Sequence, residues 1–376
     1  MSEEQKLTIR QVVTLVSDDG AYGGPVSVAT GQLAELAERG HDTALIALWR
    51  GAGPVPPAVD GVPLKAVRAR TLIPGQGFLG LLNLRLLPVL WRETGRADVL
   101  HLHVGRDLVS LAGLAVAGLR GTPCLVQTHG MVPPRGGVVA RAFDAVFRPL
   151  LRRARACLVL TEQEERELAV VLGRGHPPLL RFPNGVRTQS PGGPTDPELV
   201  LYLARLHPRK RPEAFVAAAA LVTERLPGPR FVLHGSDEGS LGAVEQAIAR
   251  DGLGSRVSYA GPLSHQDALD RLARAAVYVL PSVDEPFPMS LLEALAAGTP
   301  VVATSSCGIA AQLERSGAAL ITDGSPEALA GAVERLLTDE DLRARTVAAG
   351  YAAVAGAYSL GAVADRLTGH YQEALR

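Results

Sequence analysis

The chain has 376 residues, a length that fits two domains of ordinary size. Its 38 basic residues balance 38 acidic ones, so the basic excess of a general nucleic-acid binder is missing. A hydrophobic content of 47% against 20% charged residues excludes a disordered chain, and no apolar run reaches the roughly 18 uncharged residues of a membrane-spanning helix.

The first ten residues lack the apolar core of a signal peptide, which points to a cytoplasmic protein. Cys124, Cys157 and Cys307 are too few and too scattered for a disulfide framework or a zinc motif. From residue 10 the chain alternates strand-like and helix-like segments, the pattern of a parallel sheet covered by helices on both faces. Residues 10–16 (RQVVTLV) form the first expected strand, and residues 25–39 the first helix, with Pro25 in its opening turn and Gly40 as its stop. Strands at 43–48, 98–104, 124–128 and 156–160 follow, with helices at 108–119 and 162–172. Residues 181–197 (RFPNGVRTQSPGGPTDP) are rich in turn formers and read as a linker. After it the rhythm restarts, with strands at 199–206, 230–234, 257–260, 276–280 and 300–303. Helices are expected at 212–225, 241–250, 267–274, 290–297 and 326–337. Two successive α/β sheets therefore fit the chain better than one. Ligands of such sheets bind at the carboxyl ends of the strands, where strand order reverses.

Several loops at such ends carry chemistry. The loop at 17–25 (SDDGAYGGP) places Gly23 and Gly24 just before a helix. Free amides and the helix dipole favour a phosphate there; a plain tight turn is the alternative. His129 closes a strand in Gln127-Thr128-His129-Gly130, and its near-neutral pKa suits hydrogen bonding or proton transfer. His101 and His103 stand two apart on one strand face. With no matching Glu or Cys cluster they read as hydrogen-bonded packing, not as metal ligands. Arg205 and Lys210 flank the turn after the first strand of the second half. A fork-shaped donor and a point charge together suit a diphosphate, whereas Arg209 and Arg211 read as solvated. Most specific is EPFPMSLLE, which places Glu285 and Glu293 with seven residues between them. Two carboxylates so spaced can accept from separate hydroxyls of one polyhydroxylated ligand. Ser290 and Glu293 also have the spacing of a helix capping box.

Residues 285–304 (EPFPMSLLEALAAGTPVVAT) resemble the signature of family 4 glycosyltransferases. The likeness extends to the glycine loop and helix at 19–41, Thr128-His129-Gly130, Pro183-Asn184-Gly185-Val186 and the strand and loop at 201–210 (LYLARLHPRK). The resemblance implies an α/β chain of the GT-B fold, two Rossmann-like doubly wound domains facing a central cleft. Their expected bounds are 1–185 and 186–357, with a C-terminal helix at 358–376 returning to the first. It also implies a retaining transfer from a nucleoside diphosphate sugar, UDP- or GDP-linked, to a glycan, glycolipid or small-molecule acceptor. Arg205, Lys210 and the Gly23 and Gly24 amides would hold the diphosphate. Glu285 would hold donor hydroxyls together with Phe287, Pro288, Met289 and Ser290, and Glu293 the ribose. Gly261, Pro262 and Leu263 would lie near the base, and His129 beside the reacting sugar. His129 and Glu285 are thus the expected catalytic residues. Neither a cofactor nor a divalent metal is required.

Three positions depart from the family pattern. Arg187 replaces Asp after Asn-Gly-Val, Ala204 replaces Gly before the phosphate Arg, and Pro288 replaces Gly after Phe287. Pro288 lacks the N–H that a donor hydroxyl would use. A sugar-nucleotide epimerase, a phosphorylase and a silent sugar-nucleotide-binding protein are the competing readings of this architecture; a phosphorylase would need a pyridoxal lysine, and Lys210 is the only lysine in the second half. The stretch 68–92, with LLNLRLLPVLW between arginines, reads either as a core helix broken near Pro88 or as a segment touching the inner face of a membrane.

Overall fold

The computed structural model describes residues 6–18, 23–75, 77–188 and 195–376. The chain forms two compact units, residues 1–185 with 360–376, and residues 186–359.

Unit 1 begins with β1 (Thr8–Ser17), α1 (Gly23–Glu38) and β2 (Asp42–Arg50). The short β3 (Ala58–Val59) turns into β4 (Val62–Arg68), and α2 (Leu86–Thr94) precedes β5 (Val99–His103). Then come α3 (Leu108–Arg120), β6 (Cys124–Gln127), α4 (Val138–Leu151), β7 (Ala156–Val159), α5 (Glu162–Leu172) and β8 (Leu179–Arg181). The eight strands order as β3-β4-β2-β1-β5-β6-β7-β8. All pair in parallel except the β3–β4 hairpin. Both faces are covered, so β5, β6 and β7 are buried along their whole length, as parallel strands between helical layers must be.

Unit 2 opens with β9 (Asp196–Leu203), α6 (Pro212–Arg225), β10 (Arg230–His234) and α7 (Leu241–Arg250). It continues through β11 (Val257–Tyr259), α8 (His265–Arg274), β12 (Ala275–Leu280) and α9 (Met289–Ala296). β13 (Val301–Thr304), α10 (Ala310–Ser316), β14 (Leu320–Thr322), α11 (Pro326–Thr338) and α12 (Glu340–Ala353) complete it. Its six strands order as β11-β10-β9-β12-β13-β14, all parallel. The final helix, α13 (Leu360–Ala374), packs Val363, Ala364, Leu367 and Tyr371 into the core of unit 1 beneath β1 and α1.

Strand order reverses beside β1 in the first sheet and beside β9 in the second. Crevices therefore open at the carboxyl ends of β1 and β5, and of β9 and β12. Local chemistry sets several boundaries there. Asp107 caps α3 by accepting from the Ser110 amide at 2.8 Å, and Gly121 ends that helix at φ +68°. Gly235 follows β10 at φ +150°, where an added Cβ would stand 1.9 Å from the Ala204 carbonyl. Only glycine permits that approach of two strand ends.

Four expectations need correction. Helix α1 starts at Gly23, so Gly23 and Gly24 are its first two residues and not the loop before it. Strand β9 ends at Leu203 and β6 at Gln127, so Arg205 and His129 each lie two residues beyond a strand. Pro88 falls in the first turn of α2, where its missing N–H breaks no helical bond. Ser290 is not a helix cap: α9 begins after Pro288, with no side-chain cap. Residues 19–22 of the glycine loop and 189–194 of the linker lie outside the described residues.

Candidate active site

In unit 1 the chemistry gathers beyond β6. His129 sits at φ +50°, a left-handed conformation that a non-glycine residue holds only when its surroundings fix it. The fixing group is Glu164. Thr161 caps α5 by accepting from the Glu164 amide at 3.2 Å. This places the Glu164 carboxylate to accept from the Leu160 amide at 2.6 Å, from Thr128 Oγ1 and from the Gly130 amide. One buried carboxylate thus ties down both sides of His129. The Thr161-x-x-Glu164 spacing is a capping-box signal, but its long-range grip on Thr128 and Gly130 has no local signature.

Behind His129 lies a buried chain of polar side chains. His103 Nδ1 is 2.7 Å from His129 Nε2, and His103 Nε2 is 2.8 Å from Gln11 Oε1. Gln11 Nε2 donates to Gln32 Oε1 at 3.1 Å and to the Tyr371 hydroxyl at 3.2 Å. Gln32 in turn donates to Gln127, and Gln127 to Asn184. His101 stacks on His103 with ring centroids 4.7 Å apart and meets the Tyr371 hydroxyl at 2.9 Å. Burial pushes His129 and His101 down to about 3 and His103 well below the usual histidine range. All three rings are therefore neutral at ordinary pH. His101 and His103 are both hydrogen-bonded within this network. Among the described residues no cluster of three His, Cys, Asp or Glu side chains could hold a metal ion. The amides of Gly23 and Gly24 open α1, and an added Cβ on Gly24 would meet nothing within 4 Å.

In unit 2 the loops after β9 and β12 are laced together. The Val283 amide donates to the Arg209 carbonyl at 2.9 Å, and Arg209 Nη1 donates to the Asp284 carbonyl at 2.8 Å. Asp284 takes φ +50° at this knot. Lys210 Nζ donates to Glu285 Oε2, and Arg209 Nη1 stands 3.5 Å from the same oxygen. Lys210 and Glu285 are nearly buried. Burial pulls the Lys210 ammonium below its usual range, against the pull of Glu285. Arg209, expected to be solvated, is thus part of this cluster. Arg205 donates from Nη1 to both oxygens of Glu238, at 2.7 and 3.0 Å, with 58% of its side chain exposed.

Glu293 lies in the second turn of α9, with His265 Nδ1 4.0 Å away, and burial raises its pKa. No direct contact joins it to Glu285. Tyr278 feels both: its hydroxyl meets Ser290 Oγ at 2.7 Å, and burial and the two carboxylates push its pKa up. Phe287 and Pro288 are buried, Phe287 edge-on to Tyr358 at 6.0 Å, while Met289 and Ser290 are half-buried. Gly261 turns at φ +78°, and its carbonyl accepts from the Gly235 amide at 3.2 Å and from His234 Nδ1 at 3.0 Å. Pro262 beside it is exposed and Leu263 half-buried. The sequence reading missed Arg209, Glu238, Tyr278 and His234, all placed by the ends of β9, β10 and β12.

Comparison with known proteins decides what this arrangement belongs to. Residues 187–353 match the model of glycosyl transferases group 1, and residues 23–185 that of the glycosyl transferase 4-like domain. The D-inositol 3-phosphate glycosyltransferase of Acidothermus cellulolyticus is 31% identical over 76% of this chain and 69% of its own length. This chain belongs to the group 1, family 4-like glycosyltransferases. The α-D-kanosaminyltransferase of Streptomyces kanamyceticus is 33% identical over 48% of this chain and 47% of its own length. Among solved structures, Anabaena HepE in complex with UDP and glucose superimposes with a TM-score of 0.75 at 18% identity, covering 97% of this chain and 99% of HepE. That likeness places the fold in the GT-B class. The chain is accordingly a glycosyltransferase, and no helix among its described residues is long and apolar enough to cross a membrane.

Proposed function

We propose that this glycosyltransferase takes its sugar from a UDP-sugar and transfers it with retention of configuration. The observation that carries this reading is the Lys210–Glu285–Arg209 knot beside Arg205. Two cations, Lys210 and Arg209, around the one carboxylate of Glu285 leave a surplus of positive charge at a strand-order reversal, with Arg205 paired to Glu238. A diphosphate supplies the missing negative charge and competes with Glu285 for Lys210. Arg205 and Lys210, with the Gly23 and Gly24 amides, then stabilise the departing diphosphate, the charge that grows as the glycosidic bond breaks. Released from Lys210, Glu285 accepts from donor-sugar hydroxyls, with the Phe287–Ser290 segment lining that subsite. Glu293 accepts from the ribose, and Gly261, Pro262 and Leu263 contact the base. His129 orients the reacting sugar. Retention follows if attack and departure share one face, with the leaving phosphate drawing the acceptor proton, so no carboxylate nucleophile is needed. UDP is favoured over GDP because HepE, of like fold, is named in complex with UDP and glucose.

The acceptor is a glycan, glycolipid or small molecule, and relatives named for D-inositol 3-phosphate put inositol phosphates first in a trial. A peripheral membrane contact is supported by Leu84, Leu87 and Trp91, exposed at 61%, 36% and 44%, with Arg85 and Arg92 among them. Co-sedimentation with phosphatidylglycerol vesicles, lost in Leu84→Ser/Trp91→Ser, checks that contact. The donor assignment is tested by melting the protein with UDP-, GDP- and TDP-sugars, since a ligand of the native state raises its stability. A UDP-sugar should raise the midpoint most and release UDP in the presence of acceptor, in EDTA as in buffer. A larger shift with a GDP-sugar would overturn the choice of base.

A further inference from the structure

The hydrogen-bond chain behind His129 has a direction, and the direction selects a tautomer. Gln11 Nε2 is spent on Gln32 and the Tyr371 hydroxyl, so Gln11 turns its carbonyl oxygen to His103. A carbonyl only accepts, so the His103 proton is on Nε2. His103 Nδ1 is then a bare acceptor, and at 2.7 Å it takes its hydrogen from His129 Nε2. A neutral His129 protonated at Nε2 has an unprotonated Nδ1. His129 is only partly buried, and that nitrogen is not among the sealed, unpartnered atoms of the fold.

We propose that His103, oriented by Gln11, is the positioning residue that presents His129 to the substrate as a fixed hydrogen-bond acceptor through Nδ1. This rests on the placement of His129 beside the reacting sugar. A sugar offers hydroxyl donors at many angles, and an acceptor locked in one tautomer selects one of them. The lock has two parts: the Glu164 grip on the backbone either side of His129, and the His103 bond to its ring, the two rings lying nearly parallel with centroids 5.0 Å apart. The ring faces the uncharged His101 and Tyr371 through His103, and Glu164 is engaged with Thr128, Gly130 and Leu160. Among the described residues no hydrogen bond or ion pair joins an acid to the His129 ring, and burial holds its pKa down to about 3. His129 therefore acts as an acceptor across the working pH range and not as a proton donor.

The direct test is nitrogen-15 NMR of the histidine rings in the full, ligand-free chain, with the signals of His129 identified by their loss in His129→Gln. The wild type should show His129 neutral and protonated at Nε2. His103→Leu, which removes the acceptor, should release His129 into a mixture of tautomers. His103→Asn puts a carbonyl where Nδ1 was and should restore the Nε2-protonated form. In turnover of the UDP-sugar that stabilises the protein most, His103→Leu should lower kcat by about tenfold, the rate equivalent of one hydrogen bond. KM for the donor and affinity for UDP should change little, and His103→Asn should recover most of the loss. A wild-type His129 protonated at Nδ1, or one whose tautomer ignores His103→Leu, would overturn the inference. If the tautomers behave as described but His129→Gln leaves turnover intact, it is the placement of His129 beside the sugar that fails.

Discussion

The two units carry their candidate site residues on the same kind of scaffold, loops at the carboxyl ends of parallel strands, yet they hold them by opposite means. Unit 1 fixes His129 with uncharged rings, amides and one buried carboxylate, most of them on strand and helix interiors. Unit 2 fixes Lys210, Arg205 and Glu285 with ion pairs between loops. Buried neutral networks are rigid because an unsatisfied member costs much. Ion pairs on loops are exchangeable, since another anion can take the partner's place. A positioning role suits the first device, and capture of a charged leaving group suits the second.

The largest expected effect comes from breaking the exchange in unit 2. Glu285→Gln should lower turnover by about 100-fold or more, the scale of losing a group engaged mainly in the transition state. UDP affinity should hold or rise, because Lys210 is freed. Loss of UDP binding in the folded variant would show that Glu285 serves the nucleotide. Next, Arg205→Ala should weaken UDP by about 1.5–3 kcal/mol, the value of charge-assisted hydrogen bonds, and leave uridine unchanged in titration calorimetry. Because Arg205 is largely exposed, the wild-type affinity should also fall with added salt. Equal losses for UDP and uridine would remove Arg205 from the diphosphate.

In unit 1 the corresponding break is Glu164→Gln, which leaves the Thr128, Gly130 and Leu160 donors imperfectly paired. A loss of about 1–3 kcal/mol of stability is expected, measurable by urea melts. A neutral outcome would mean that His129 is held by its ring contacts alone.

The mildest perturbation is pH. His101 and His129 have folded pKa values of about 3, far below the ordinary 6.5. Between those values the unfolded chain binds more protons than the folded one. Stability is therefore full above about pH 6.5 and is lost as pH falls toward 3. In unit 2 burial lowers His234 in the same sense, but Glu293 shifts upward and opposes it, so unit 2 carries less of this weakness. Both tryptophans, Trp49 and Trp91, lie in unit 1. The melt followed by tryptophan fluorescence should fall from pH 7 to pH 5 more than the melt followed by helix ellipticity. Parallel falls would mean that the histidines are not the acid-sensitive element.

The same contrast governs what the sequence could reveal. Much of the strand and helix order was legible because apolar runs such as Ala44–Leu48 and Ala275–Leu280 allow little else between helical layers, whereas β4, α4, α10, β14 and α12 were not expected. The knot of unit 2 was half legible: Lys210 and Glu285 stand out by motif, while Arg209 passed for a solvated charge. Only the crossing of two loops brings Arg209 to Glu285. Ser290 and Glu293 had capping-box spacing, but the Tyr278 hydroxyl claims Ser290 from a different strand. The support of His129 was hidden almost entirely. His103, Gln11 and Glu164 reach it across 26 to 118 residues of chain, by sheet register and helix placement, which local pattern does not encode.

The central claim is a retaining transfer driven by capture of the departing diphosphate, and the anomeric configuration of the first product tests it most directly. The α-linked UDP-sugar that stabilises the protein most should be followed by proton NMR with acceptor present, from the first minutes of reaction. The account predicts that the new glycosidic linkage carries the small anomeric coupling of an α product, absent in Glu285→Gln. A β product from that α-linked donor would contradict it.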